Sequence, residues 1–389
     1  MGMKRTAIVS AAFCSLWACE ISHIGPVPQP PPDDGVLCSA VVYPEGYNWR
    51  RDSLGGRVRC SLVLMNRSTP LLSFPADEAH CAGPDMDMHR IAGGHLYTDI
   101  STSTHTLVGC DGKELFRFRG RERIEWLTVD RGCVYTLGTR RNGRGWALRK
   151  DGKPLLEQDD GHITGGLHRD GHALCLAYSV PVRSTSGQTA GWRDYIVRDS
   201  TVTQIIPEAD VARLLAVRSF CGNTEYVAQL HSGALLWQWD GRGLLLDTSG
   251  ASEVRAVGLE FAGGQTVCHA QVFDERSQQW SDRFWRKDGL AAFTEGGSLV
   301  CALCRDAPCL CYAHSEGASS TGITLYCDGN DVSLPGHMAL TSPEALCCAP
   351  DGPYAGMNDS SRDWKPVLVS RKDIVVYDFN GYFTCLRLP

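Results

Sequence analysis

The chain has 389 residues, of which 43% are hydrophobic and 21% charged, a balance typical of a folded globular protein rather than a disordered one. Its formal net charge is −6, which argues against nucleic acid as a partner because phosphate binding requires a basic surface. The length suits either two average domains or one large all-β domain, and 41 Gly with 19 Pro predict many turns.

The first element in the chain is an export signal. A short basic start is followed by an apolar run, residues 6–17, which is too short to stay in a bilayer as a permanent helix. The run ends in Leu16-Trp17-Ala18-Cys19, which resembles the lipobox of bacterial lipoproteins, where signal peptidase II cuts before the Cys and that Cys carries the lipid. The resemblance implies a signal peptide over residues 1–18 and lipidation of Cys19. The alternative is an ordinary secretory signal that is cut nearby.

A tether and a single large domain are predicted to follow. Residues 19–35 include the Pro-rich segment IGPVPQPPP, which is expected to be extended and suits the spacer of an anchored domain. No later apolar run reaches the length of a transmembrane helix. We therefore expect residues 36–389 to form one domain at the bacterial outer membrane or cell envelope, where only the lipid contacts the membrane.

Turn motifs of the Asp-Gly type recur along this domain every 40–48 residues, and Lys150-Asp151-Gly152-Lys153 is the clearest copy. Asp-Gly between two extended segments is a strong hairpin signal because both residues tolerate the positive φ of a tight turn. The copies are centred on Asn66, Asp111, Asp151, Asp199, Asp240, Asp288, Asp328 and Asp373.

A second motif precedes each turn. It reads Tyr or Cys, any residue, then usually a small residue, as in Tyr226-Val-Ala228 and Cys268-His-Ala270. Residues two apart in a strand share one face, so the small residue lets neighbouring sheets pack closely. Each repeat also divides into four short strands, and four-stranded units of about 40–50 residues are the signature of a β-propeller. The sequence therefore predicts an all-β fold.

Eight repeats predict a propeller of eight four-stranded blades. The first repeat starts with its second strand, Leu37–Val42, and the alternating segment Tyr382–Leu388 remains after the eighth repeat. We expect this last segment to supply the innermost strand of the first blade, so that N- and C-terminal strands close the ring and leave no exposed edge. Seven blades is the alternative, because the motif at Asn66 is weak.

The repeat also resembles that of a known group of proteins. Tyr135-Thr-Leu-Gly138, Trp146 and Lys150-Asp-Gly-Lys153 are similar to the pattern Y-x-A-G, then W-x-K-[DN]-G-K, of propeller-type lipoproteins from Bacteroidetes-like bacteria. The resemblance covers about residues 36–389. It implies a propeller on a lipid anchor and implies no activity.

Insertions between the second and third strands identify the face that is expected to bind ligands. These loops and the blade-to-blade connections share one face of a propeller, and the Asp-Gly turns lie on the other. Four of the variable loops carry a tryptophan, and exposed rings beside polar side chains suit recognition of a glycan, peptide or protein. The alternative is that each indole begins a third strand and packs against the next blade. The candidate ligand-binding residues are Trp49, Trp192, Trp280 and Trp364.

Two groups of residues have the composition of metal sites. Cys301-x-x-Cys304, Cys309-x-Cys311 and His314 have spacings that suggest zinc. Cys311 occupies the Tyr/Cys position of the repeat, however, and Cys packs well as a small buried residue, so we interpret these as structural thiols. The acidic, His-containing segment 77–89 is interpreted as a solvated loop rather than a cation site. We therefore predict neither a metal nor a cofactor.

The sequence gives little support for catalysis. It contains no nucleophile elbow, HExxH motif or phosphate loop, and His231, His269 and His314 fall in or just after second strands, so we name no catalytic residue. The favoured function is a monomeric, lipid-anchored binding or scaffold module for a glycan, peptide or protein partner. The alternative is a hydrolase or lyase of an extracellular polymer, which would gather carboxylates or His from different blades near the central mouth.

Overall fold

The computed structural model describes residues 36–47, 59–67, 69–77, 89–101, 104–120, 122–140, 145–207, 210–294, 298–304, 307–316 and 322–388. The predicted signal peptide, its Cys19 and the tether lie outside these residues, as does the candidate Trp49, so these assignments stay predictions.

Eight antiparallel sheets, the blades of a β-propeller, make up the described part of the chain. Blades 1 and 2 contain β1 (Leu37–Val42), β2 (Arg59–Asn66), β3 (Thr69–Asp77), β4 (His89–Ala92), β5 (His95–Ser101), β6 (His105–Cys110) and β7 (Lys113–Arg119). Blades 3 and 4 contain β8 (Glu122–Asp130), β9 (Cys133–Arg140), β10 (Trp146–Lys150), β11 (Lys153–Gln158), β12 (His162–Asp170), β13 (Ala173–Arg183), β14 (Thr189–Arg198) and β15 (Thr201–Ile205). Blades 5 and 6 contain β16 (Val211–Phe220), β17 (Asn223–Leu230), β18 (Leu235–Trp239), β19 (Arg242–Leu245), β20 (Ala251–Ala262), β21 (Gln265–Asp274), β22 (Gln279–Arg286) and β23 (Gly289–Phe293).

The last two blades are followed by one remaining strand. They contain β24 (Ser298–Leu303), β25 (Cys311–Glu316), β26 (Ile323–Cys327), β27 (Asn330–Ser333), β28 (Met338–Leu340), β29 (Leu346–Ala349), β30 (Gly352–Asp359), β31 (Lys365–Ser370) and β32 (Ile374–Val376), with a short 3₁₀ helix at Ser360–Arg362 and the final strand β33 (Gly381–Arg387). In blade 8 the short strands β28 and β29 both pair with β30, so two pieces replace the single first strand of the other blades. Within the described residues, no helix has the length and apolar character needed to cross a bilayer.

The two ends of the chain close the ring, as predicted. Strand β33 pairs antiparallel with β1, from Leu37 opposite Arg387 to Val42 opposite Gly381, and it completes the order β3-β2-β1-β33 of blade 1. The Ser39 and Thr384 hydroxyls, which are both buried, lie 2.6 Å apart. The prediction of eight four-stranded blades is thus confirmed, and the alternative of seven is wrong.

The recurring Asp-Gly turns have one structural role. Asp151 and Gly152 have φ angles of 49° and 77°, the positive values that a two-residue type I′ hairpin requires. The Asp151 backbone N–H donates to the Val134 carbonyl over 2.8 Å, and the Val134 N–H donates back to the Asp151 carboxylate over 2.8 Å. Each such Asp therefore ties the third-to-fourth strand turn to the start of the second strand. The same carboxylate contact is made by Asp111, Asp199 and Asp328.

Burial explains the second motif of the repeat. Ala228, Ala270 and Ala313, the small residues of three copies, are fully buried, as are Cys268 and Cys311 at the preceding motif position. The fourth strands are mostly exposed, as in the pattern of β15, and therefore form the outside of the ring. Small buried residues in the second strands let the blades approach each other closely, as the sequence predicted.

One predicted loop is largely a hairpin extension. The variable loop predicted to carry Trp192 covered residues 181–192, but β13 continues to Arg183 and β14 begins at Thr189, so that Pro181 pairs with Trp192. Only residues 184–188 separate the two strands. The prediction of a loop rested on the extra residues between the repeat motifs, and those residues lengthen the two strands of the hairpin instead.

Candidate functional site

The two ends of the propeller differ in what they carry. The loop face holds the loops between second and third strands, such as residues 231–234, and the connections between blades, such as residues 246–250. The turn face holds the Asp-Gly turns. The loop face is the one that the sequence selected for ligand binding, and both cavities described below lie on it.

The larger cavity lies between blades 5 and 6 and has a volume of about 580 Å³. This volume falls in the range of about 300–1,000 Å³ that is usual for ligand sites. The cavity is lined by residues near the start of the inner strands β16 and β20 and by the loop at Gly233. The lining includes Arg213, Gln229, Glu253 and Arg255. The site is therefore polar and carries two guanidinium groups.

The two arginines occupy equivalent positions in consecutive blades. Arg213 lies opposite Gln229 in the β16–β17 ladder, and Arg255 lies opposite Gln271 in the β20–β21 ladder. Each Nε donates to the glutamine Oε1, over 3.1 Å for Arg213 and 3.0 Å for Arg255. Register shifts near both arginines bulge the inner strands, and bulges commonly redirect side chains next to binding sites.

Trp280 lies next to the larger cavity on the blade 6 side, in contact with its lining residue Arg255. The Arg255 guanidinium carbon lies 3.7 Å from the centre of the Trp280 ring, a cation–π distance. Phe273 packs against the other part of the indole, with ring centres 5.3 Å apart. The indole thus has a fixed orientation and stays partly exposed.

A smaller cavity of about 130 Å³ lies between blades 4 and 5. It is lined by Trp192 and Ile206, and also by Arg213, which it shares with the larger cavity. The Trp192 ring is 37% exposed and meets His162 edge to face at 4.7 Å. Burial lowers the pKa of His162, the nearby carboxylate of Asp194 opposes this shift, and the positive charge of Arg213 adds to it.

The two cavities share Arg213 and form one continuous candidate surface, which we call the loop-face groove. It is defined by Trp192, Arg213, Gln229, Arg255 and Trp280. The sequence analysis named its two tryptophans as candidates but did not name the arginines. The detectable signal was the pair of Arg and Gln residues 16 apart in two consecutive repeats.

The other tryptophan candidates do not join this groove. Trp364 is partly buried before β31 in blade 8, and its backbone carbonyl accepts a hydrogen bond from the Asn358 side chain. Trp49 lies outside the described residues. By contrast, Trp146, Trp237 and Trp285, which lie in third strands, are fully buried. The alternative explanation, packing of the indole against the next blade, required such burial of the four candidate tryptophans.

The histidines considered for catalysis are in separate local settings. His231 is exposed beside a loop of blade 5. His269 in blade 6 lies 2.6 Å from a carboxylate oxygen of the fully buried Asp282 and stacks on Phe284 at 4.7 Å. Asp282 also accepts the Val300 N–H over 2.7 Å, which ties it to the next blade. The His269–Asp282 pair therefore serves as a packed structural contact.

The cysteines considered for zinc do not gather as their spacing suggested. The Cys301 thiol contacts the Ser315 hydroxyl at 3.2 Å, apart from Cys309. Cys309 instead meets Cys327 and Cys348, which come from a turn of blade 7 and from blade 8. All 15 cysteines within the described residues are free thiols.

Comparisons with known proteins agree with the fold. No protein-family model and no curated protein matches this chain. Among solved structures, the chain is similar to dihydro-heme d1 dehydrogenase NirN in complex with DHE, with a TM-score of 0.51 and 11% identity over 90% of this chain and 75% of that one. It is also similar to the β-propeller domain of the Trilobed protease from Pyrococcus furiosus, with a TM-score of 0.47 and 12% identity over 76% of this chain and 91% of that one. At such identities the likeness concerns the fold alone.

Proposed function

We propose that the protein is a lipid-anchored binding module of the bacterial cell envelope, and that its loop-face groove docks an acidic peptide segment of a partner protein. The observation that carries the proposal is the pair of equivalent arginines, Arg213 and Arg255, between two partly exposed tryptophans. Guanidinium groups recognise carboxylates through paired, charge-assisted hydrogen bonds, and indole rings supply apolar area with fixed geometry.

The charge of both arginines remains available to a ligand. Their hydrogen-bond partners are the neutral side chains of Gln229 and Gln271, and no carboxylate among the described residues forms an ion pair with either. The glutamines hold the guanidinium groups in place without neutralising them. An acidic ligand therefore meets two oriented positive charges, although the chain as a whole is negative.

Apolar groups beside the arginines favour a peptide over a glycan. Ile206 lines the smaller cavity and is 84% exposed, and Trp192 next to it is 37% exposed. An exposed aliphatic side chain suits the apolar side chain of a peptide better than the hydroxyl-covered surface of a sugar. A groove with two cationic positions between apolar ones thus fits a segment whose acidic residues are flanked by apolar residues.

The buried carboxylates support a binding role rather than a hydrolase. Glu225 is 2% exposed as a side chain and contacts the Lys287 ammonium at 2.6 Å, and Asp170 accepts hydrogen bonds from Ser219 and from the Gly222 N–H. These carboxylates join neighbouring strands and blades. Among the described residues, Glu253 is the one carboxylate that lines the larger cavity, and Asp194, which lines the smaller cavity, accepts a hydrogen bond from the Ser179 hydroxyl.

Replacement of the groove arginines is expected to weaken binding. We expect Arg213→Ala and Arg255→Ala each to reduce affinity about tenfold or more, since a hydrogen bond to a charged group contributes about 1.5–3 kcal/mol. The measurement is fluorescence anisotropy with peptides selected from an array that holds acidic–apolar peptides and polyuronate glycans side by side. Raising the salt concentration should weaken wild-type binding as well.

The matched control is Arg242→Ala. This residue is exposed in blade 5 like Arg213 but begins β19 beside the Asp240-Gly241 turn, on the turn face, so its loss should leave affinity unchanged. Selection of polyuronates instead of peptides would reject the peptide partner. Equal affinity in wild type and both groove variants would reject the site.

The anchor is tested separately. We expect Cys19→Ser to move the protein from the membrane fraction to the soluble fraction, because the acyl chains that Cys19 carries in this proposal hold the domain at the bilayer. Immunoblots of fractionated cells, together with metabolic labelling by a fatty acid, give the measurement. Unchanged fractionation and labelling would contradict lipidation at Cys19.

A further inference from the structure

Four cysteines meet on the turn face between blades 7 and 8. Cys309 precedes β25, Cys311 begins it, and Cys327 ends β26 immediately before the Asp328-Gly329 turn. Cys348 comes from β29 in blade 8. The repeat architecture thus brings three residues of one blade and one of the next to a single point, far from the loop-face groove.

The sulfur atoms of this cluster are in direct contact. The Cys309 Sγ lies 3.1 Å from the Cys327 Sγ and 2.8 Å from the Cys348 Sγ, and all three lie within 4.8 Å of one another. Each of these three sulfurs therefore faces two other sulfurs rather than one. Cys311 lies directly opposite Cys327 in the β25–β26 ladder, so its side chain is on the same side of the sheet as that of Cys327.

We propose that Cys309, Cys311, Cys327 and Cys348 form a structural Zn²⁺ site. Four thiolates around one zinc ion, with Zn–S bonds of about 2.3 Å, place their sulfurs about 3.8 Å apart. The Cys309–Cys327 and Cys309–Cys348 sulfur separations of 3.1 Å and 2.8 Å reach that spacing when they lengthen by about 0.7 Å and about 1 Å. A soft tetrahedral thiolate set of this kind selects zinc among the common divalent ions.

Neighbouring cysteines are not part of the set. Cys347 is adjacent to Cys348 in β29, and successive residues of a strand point to opposite faces. Its thiol interacts electrostatically with those of Cys304, Cys38 and Cys385. The alternation of side chains along β29 thus separates Cys347 from the proposed ligand Cys348.

The proposed site is accessible to an ion from solvent, and its four protein ligands complete the coordination of zinc. Cys309 and Cys327 are half-buried, whereas Cys311 and Cys348 are 0% and 3% exposed, so an ion reaches the cluster from the turn face. Each Zn–S bond replaces an S–H bond, and the proton passes to solvent. With four protein ligands no position stays open for substrate, and the ion joins blade 7 to blade 8.

Metal analysis of the full chain tests this site. The protein is purified with reductant in metal-depleted buffer, given Zn²⁺, dialysed and analysed by mass spectrometry of its metal content. We expect about one zinc ion per chain, as a single four-thiolate site requires. Co²⁺ in place of Zn²⁺ should give the visible absorption of tetrahedral thiolate cobalt, which is a readout that needs no variant.

Two cysteine variants and a thiol count complete the test. Cys327→Ser, at a half-buried position, should lose most of the bound zinc, and Cys221→Ser, at an exposed position in the β16–β17 turn, should keep it. Chelation should lower the Tm of wild type and of Cys221→Ser only. Wild-type zinc at background level, zinc retained by Cys327→Ser, or an intact mass that shows disulfides among the four cysteines after purification in reductant would overturn the proposal.

Discussion

Deletion of residues 381–389 is expected to abolish cooperative folding of the propeller. The deletion removes β33, the innermost strand of blade 1, which pairs with β1 along its whole length. It also removes the Gly381 carbonyl, which accepts a hydrogen bond from the Asn358 side chain of blade 8 over 2.8 Å. Blade 1 then keeps three strands, and the ring stays open beside blade 8.

The size of the effect follows from the side chains that β33 buries. Tyr382, Phe383 and Leu386 are 6%, 0% and 0% exposed, and burying a large apolar side chain contributes about 1.5–3 kcal/mol. The three together contribute roughly 5–9 kcal/mol, which is comparable with the whole net stability of a domain, about 5–15 kcal/mol. The freed edge of β1 also exposes unpaired backbone groups that promote aggregation.

Thermal unfolding followed by circular dichroism, with size-exclusion chromatography of the soluble fraction, measures the loss. The truncated chain should show a broad, low-temperature transition or none, and should elute with aggregates. Leu388→Ala is the control, because this residue follows β33 and is 40% exposed, so it should melt like wild type. A truncated chain with an unchanged, sharp transition would contradict closure by β33.

The sequence predicted this closure because the signals involved are local and repeated. An Asp at positive φ that accepts a backbone hydrogen bond from the second strand recurs at Asp111, Asp151, Asp199 and Asp328, so these copies of the turn stay recognisable. The weak first copy is also explained, because Arg67 takes the same conformation with φ of 46°.

Other features were not predicted from the sequence because they depend on contacts between repeats. The division of the blade 8 inner strand into β28 and β29 is not marked by a turn motif. The direction of Arg213 and Arg255 depends on bulges in the inner strands. The Cys309 cluster combines a loop, a turn and a second blade, whereas spacing along the chain grouped Cys309 and Cys311 with Cys301, Cys304 and His314. Local patterns in the sequence therefore predicted the architecture. The proposed sites lie where separate repeats meet, and local patterns did not predict them.

Loss of Glu122 is expected to destabilise the protein more than loss of any surface charge. Glu122 and Arg149 are 3% and 7% exposed, and they form a two-point ion pair of 2.6 Å and 3.3 Å. The pair passes over the intervening strand β9 at Gly138, where a Cβ would lie 3.1 Å from the Glu122 carboxylate. The Gly of the repeat pattern therefore makes room for this contact.

The same pair connects two blades. The Arg149 guanidinium carbon lies 4.4 Å from the centre of the Phe118 ring in blade 2. Removal of one member leaves the other charge buried, which costs about 3–5 kcal/mol. Because Arg149 also contacts the more exposed Glu157 at 3.0 Å, we expect Glu122→Gln to cost about 3 kcal/mol, at the lower end of that range.

Urea unfolding of a double-mutant cycle measures the coupling. Glu122→Leu and Arg149→Met should each lower the unfolding midpoint strongly, and the double variant should recover most of the loss, because replacing both charges by apolar groups removes the uncompensated charge. Glu114→Gln is the control, since the Glu114–Arg117 pair is exposed on both sides and such pairs contribute about 0–1 kcal/mol. Additive losses in the double variant would show that the two side chains act independently. An unfolding midpoint unchanged by Glu122→Gln would show that the ion pair does not help to hold blades 2 and 3 together.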